Sequence, residues 1–137
     1  MSSSDPGLWL DLATSDATAA RRLLTPPASL PQAAYLAQQA AEKAIKARLI
    51  ALRIAFPRHG GRGHDLVALT NLVPAGDTAR PLFEELSSIT PWATAFRYPS
   101  DDPATEAHLT AEEIAAKLEQ TETAIAFVRG DLGGQQP

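Results

Sequence analysis

An all-α fold, specifically an antiparallel up-down bundle of four to five helices, is what this sequence predicts, on three observations. Apolar residues recur at spacings of three and four along segments of helical length. The hydrophobic fraction is 45% with only 6% aromatics; much of it is alanine, the strongest helix former, so the core is read as aliphatic. Pro and Gly clusters cut the chain into helical pieces, and none keeps the period-two alternation of a strand. Short connections between amphipathic helices favour antiparallel neighbours. At 137 residues the chain is read as one domain with flexible ends at 1–6 and 131–137, long enough to bury a core without disulfides or metal.

The first helix is predicted over Leu8 to Leu24, with Trp9, Leu12, Ala13, Ala20, Leu23 and Leu24 on its apolar side. Thr25-Pro26-Pro27 stops it, because proline cannot continue a helix. The second, Leu30 to Ala55, carries a Ser29/Gln32 capping-box spacing and Pro31 in its first turn. At 100° per residue it shows two apolar stripes. One is Ala41, Ile45, Leu49, Leu52 and Phe56; the other is Leu36, Ala40, Ala44, Ala47, Ala51 and Ile54. Two apolar faces mark the central helix of a bundle. The alanine stripe invites close approach by another helix of this chain or of a second copy. The remaining narrow face holds Gln39, Glu42, Lys43, Lys46 and Arg53, read as solvated, with Glu42 and Lys46 an i,i+4 pair.

Pro57 to Gly63 reads as a loop. Asp65 to Val73 follows as a short helix, with Asp65 at its N-cap. A fourth helix is predicted over Thr78 to Phe96, kinked or split by Pro91, with Thr90 able to cap its second half. A polar loop through His108 leads to a last helix, which starts on a Thr110/Glu113 capping box, carries Ile114, Leu118, Ile125 and Val128 on one face, and is ended by Gly130 and the Gly133-Gly134-Gln135-Gln136-Pro137 tail.

Composition narrows the chemistry. The absence of cysteine removes disulfides, thiolate catalysis and Cys-based zinc sites. Three scattered histidines do not make a metal site, so neither metal nor cofactor is expected. No apolar run reaches the ~20 residues of a membrane span, and the opening Met1-Ser2-Ser3-Ser4-Asp5 lacks a signal-peptide pattern. The expected location is therefore cytoplasmic, without membrane contact. A net charge of −4 argues against general nucleic-acid binding. The charge is uneven: Lys43, Lys46, Arg48, Arg53, Arg58 and Arg62 cluster, while the region after Pro99 is acidic. The bland reading is two solvated helix faces that attract one another; the alternative is a local basic groove for a nucleotide or RNA.

The stretch Gln38-Gln39-Ala40-Ala41-Glu42-Lys43-Ala44-Ile45-Lys46-Ala47 resembles the Q-Q-A-x-E-K-A-x-K-A signature of the HEPN family. Gly63-His64-Asp65-Leu66 is similar to that family's T-H-D-L block, and Arg97-Tyr98-Pro99 to its later R-Y-P. With the flanking helices the resemblance covers most of the chain. It implies a helical bundle that forms homodimers and partners a minimal nucleotidyltransferase, in a toxin–antitoxin-like or regulatory pair. Gln39, Glu42, Lys43, Lys46, His64, Asp65, Arg97 and Tyr98 would be the ligand- or partner-binding residues.

Two departures matter. Arg48 stands where the family often has Leu, so its stem would lie on the core with its head in water, or it would face a partner chain. Ribonuclease members of the wider superfamily use R-x(4–6)-H, with two protomers forming one composite site. An Arg there binds phosphate and a His moves a proton. Counting from Arg97, that His should fall at Asp102, Pro103 or Ala104. The motif is not intact, and an interaction module is the favoured expectation. The competing one is a metal-independent endoribonuclease in which Arg97 works with His64 or His108. A third is plain nucleotide binding on the basic face. Bland roles compete at each position: His64-Asp65 as a helix N-cap, Arg97 as a helix C-terminal cation, and the Arg58/His64 spacing as coincidence.

Overall fold

The computed structural model describes residues 3–57, 61–96 and 109–134, and every regular element among them is helical. The helices are α1 (Pro6–Leu23), α2 (Leu30–Ala51), α3 (Leu66–Leu72), α4 (Arg80–Glu84) and α5 (Ala111–Gly134), with 3-10 turns at Gly61–His64 and Ser87–Ala93.

The closest pairing is α1 on α2, and both helices meet it with small residues. Ala13, Ala17 and Ala20 of α1 are buried, as are Ala33, Ala34, Ala37, Ala40, Ala41, Ala44 and Ala47 of α2. The main neighbour of α2 is therefore α1 of the same chain. Antiparallel α5 lies against α1 and also contacts α2, and α3 with the Ser87–Ala93 turn closes the remaining side. Leu10, Ile45, Leu49, Leu66, Leu69, Phe83, Leu86, Ile114, Leu118 and Val128 fill the centre. Leu12, expected on the apolar side of α1, is 55% exposed. Because these interiors are close-packed, a leucine at Ala44 should overpack them and cost about 1–3 kcal/mol. A urea-unfolding midpoint unchanged from wild type would contradict that packing.

Helix ends differ from expectation where the chain uses an unusual stop. α2 ends at Ala51, not Ala55, because Arg53 takes a left-handed φ of 60°. The amide of Arg53 donates to the carbonyl of Ile50 and that of Ile54 to Leu49, a Schellman closure with arginine in glycine's usual place. Ile54 and Phe56 thus lie beyond the helix. At the other end the Ser29 hydroxyl bonds the Gln32 side chain and gives no side-chain cap to the backbone.

The span Thr78 to Phe96, predicted as a helix kinked or split by Pro91, is α4 followed by a 3-10 turn that contains Pro91. Pro91 has no N–H for the Ser87 carbonyl; the Thr90 hydroxyl donates to it at 2.9 Å. The same oxygen accepts from the Leu66 amide at 3.2 Å, so Thr90 caps α3 rather than its own segment. Asp65 caps α3 as expected, accepting from Val67 and Ala68. Thr110 accepts from the Glu113 amide, and α5 runs past Gly130 to Gly134.

Candidate functional site

The signature on α2 builds a polar network inside the bundle wall. Gln38, Glu42 and Lys46 follow at intervals of four, so their side chains stack along one line of the helix. All three are buried. Glu42 uses both carboxylate oxygens: Oε1 meets His64 Nδ1 at 2.8 Å, and Oε2 accepts from Lys46 Nζ at 2.9 Å. A carboxylate only accepts, so Nδ1 carries the proton of that contact. Gln38 Nε2 donates to the His64 carbonyl at 3.0 Å, and Gln39 Nε2 donates to Gln38 Oε1 at 2.8 Å. The Gly61–His64 turn is thereby tied to α2 through both the backbone and the ring of His64.

Lys46 is covered by aromatics. Its ammonium lies 5.8 Å from the centroid of the Trp9 ring and 5.9 Å from that of Phe56, both within cation–π range. The two rings meet edge to face at 6.5 Å. The indole N–H of Trp9 donates to the carbonyl of Ser3. Neighbouring Lys43 pairs with Asp16 of α1.

One expectation is corrected here. The Gln39, Glu42, Lys43 and Lys46 face is not an open solvated one: the side chains of Lys46 and Glu42 are 4% and 5% exposed. The N-cap reading of His64-Asp65 holds for Asp65, which caps α3, while His64 pairs with Glu42. Of the network's groups the His64 ring is the outermost, at 54% exposure. Arg97, Tyr98 and His108, as well as Arg58, lie outside the described residues.

Arg48 neither snorkels to water nor waits for a partner chain. It is buried, forks onto both oxygens of Asp77 at 3.0 and 2.6 Å, and gives Nη1 to Asp131 of α5. The Asp77 hydrogen bonds are the main reason its pKa rises above the ordinary arginine value; the same bonds hold the Asp77 carboxyl below the usual range. This pair locks the C-terminal part of α2 to the turn before α4 and to the end of α5. Of the basic cluster, Lys43, Lys46 and Arg48 each have an acidic partner within the protomer.

Sequence reasoning missed Gln38, Asp16, Asp77 and Asp131, and the aromatic cover of Trp9 and Phe56. Gln38 carried a usable signal, four residues before Glu42. A cavity of about 40 Å³ beside the network is lined by Tyr35, Gln39, His64, Ala93 and Thr94. It has room for water or a small polar group and is far below the ~300 Å³ at which ligand pockets begin. Among the described residues there is no group of three or more His, Cys, Asp or Glu placed to hold a metal, and no helix long and apolar enough to cross a membrane.

The fold has a counterpart among solved structures. The crystal structure of TT1696 from Thermus thermophilus matches with a TM-score of 0.72 at 26% sequence identity, over 93% of this chain and 98% of that one. No curated protein matches the sequence. The HEPN domain model matches residues 7–130, almost the whole described bundle, and the chain belongs to the HEPN family.

Proposed function

We propose that this chain is a HEPN interaction module, homodimeric, that partners a minimal nucleotidyltransferase in a toxin–antitoxin-like or regulatory pair. The observation that carries the reading is the internal pairing of Lys43, Lys46 and Arg48. Phosphate recognition needs cations free to neutralise it, and these three are taken by Asp16, Glu42 and Asp77 of the same protomer. Nucleotide binding on this face would have to break those pairs. The signature then serves to build a rigid wall, from which Gln39 and His64 reach the surface.

A second reading is an endoribonuclease, and the Glu42–His64 contact favours it. In the neutral ring, with Nδ1 donating to a carboxylate, the other nitrogen is a proton acceptor. The two readings separate in one experiment: RNA cleavage by purified wild type, Arg97→Ala, His64→Ala and His108→Ala, with complex formation against a minimal nucleotidyltransferase measured in parallel. Equal background cleavage in all four, with a stable complex, is the expected result. Cleavage by wild type that disappears in Arg97→Ala and one histidine variant would overturn the module reading.

A further inference from the structure

The end of α2 carries a cation that the fold leaves unused. Lys43, Lys46 and Arg48 are each paired within the protomer. Arg53 is exposed, and among the described residues no carboxylate pairs with its guanidinium. It lines a cleft of about 440 Å³ together with Ser4, Ile50, Ile54 and Ala55. That volume lies within the ~300–1,000 Å³ of small-molecule sites, which are mostly apolar with a few polar or charged groups that set orientation. Ile50 and Ile54 are half-buried and make this lining apolar. Ser4 follows an anchored residue: the Trp9 indole donates to the Ser3 carbonyl at 2.8 Å, and the Asp5 amide to the Ser3 hydroxyl at 2.9 Å.

The backbone at Arg53 is a second, separate observation. Its φ of 60° is left-handed, a conformation in which a Cβ is crowded and glycine is not. The closure of α2 needs only that conformation, because its hydrogen bonds run from the amides of Arg53 and Ile54 to the carbonyls of Ile50 and Leu49. Glycine would make the same bonds with less strain, so the arginine side chain has no part in ending the helix. A strained residue that the local fold does not require marks a functional position. The closure also occupies the carbonyls of Leu49 and Ile50, so the end of α2 presents a guanidinium rather than those two oxygens.

We propose that this cleft binds a small carboxylic acid with an apolar body, its carboxylate on Arg53 and its hydrocarbon against Ile50, Ile54 and Ala55. A guanidinium fork matches the two oxygens of a carboxylate, and one arginine balances its single charge. A phosphate monoester carries nearly twice that charge at neutral pH, and Lys43, Lys46 and Arg48 already have acidic partners. An inorganic anion would leave the apolar lining unused, whereas a hydrocarbon body covers it and gains from leaving water. The Ser4 hydroxyl adds a group able to donate to a carboxylate oxygen.

Hexanoate is the probe, titrated at millimolar concentrations into the isotope-labelled full chain and followed by NMR, with hexylamine and inorganic phosphate as controls. Saturable shifts at the amides of Ser4, Arg53, Ile54 and Ala55 are expected with hexanoate and with neither control. Arg53→Gly and Arg53→Gln should each weaken hexanoate by roughly tenfold or more, the loss of a charge-assisted contact. Arg53→Gly should meanwhile melt no lower than the wild type, because glycine relieves the left-handed position; loss of binding is then separate from loss of fold. Hexanoate that does not saturate, that binds either variant as tightly as the wild type, or that is matched by hexylamine or phosphate would overturn the site.

Discussion

Replacing Asp77 by alanine lowers stability by about 3 kcal/mol, the loss expected when one partner of a buried ion pair is removed. Arg48 is 5% exposed and Asp77 9%, so a charge left behind has little water to turn to. Asp131 still faces Arg48 but is 38% exposed, and it replaces only part of the two-pronged contact. For a domain of this length the melting temperature should fall by on the order of 10 °C. Changing Arg48→Met together with Asp77→Ala should recover much of the loss, because an apolar side chain of similar length needs no partner.

The same pair predicts a pH dependence. The Asp77 carboxyl is held below its ordinary value, first by the Arg48 hydrogen bonds. Its folded-state pKa therefore lies below its unfolded one. The stabilisation is fully present above the unfolded value of about 4 and is lost as pH falls through the folded one. The wild type should lose stability in that acid window faster than Asp77→Ala does. Parallel acid limbs in urea unfolding from pH 5 to 2 would contradict the assignment.

Glu42→Gln is expected to have the other large effect, again about 3 kcal/mol or more. The variant leaves the Lys46 ammonium buried between Trp9 and Phe56 without its counter-charge. It also weakens the contact that holds the His64 ring, and with it the Gly61–His64 turn. Lys46→Met should cost a comparable amount, because it strands the equally buried Glu42 carboxylate with only the His64 ring against it. Thermal melts in which Glu42→Gln matches wild type would mean that the carboxylate contributes nothing to the fold.

The main architecture was legible because periodicity reports which side of a helix is apolar. It placed α1, α2, α3 and α5, and it identified α2 as the helix packed on two sides. It read less well where backbone chemistry decides. The end of α2 was hidden because arginine, not glycine, takes the left-handed position. The stretch around Pro91 kept an apolar rhythm of helical period, yet formed a 3-10 turn held by the Thr90 hydroxyl.

The site was half legible for a related reason. Glu42 and Lys46 form an i,i+4 pair, so their contact follows from helix geometry alone. Their burial does not, because Trp9 and Phe56 come from other segments. Arg48 shows the same limit: its partners Asp77 and Asp131 stand 29 and 83 residues away. No local pattern ties a charge to partners at that range. An arginine at a core-facing position signals only that some partner has to be there.

A double-mutant cycle on Glu42 and Lys46, followed by urea unfolding, probes most directly whether the charges of the signature are used up within the protomer. Glu42→Gln and Lys46→Met should each lose about 3 kcal/mol, because each strands the other's charge, while the combined variant should stand well above both. If all three variants unfold with the wild type, those side chains are a free polar surface and the interaction-module reading loses its support.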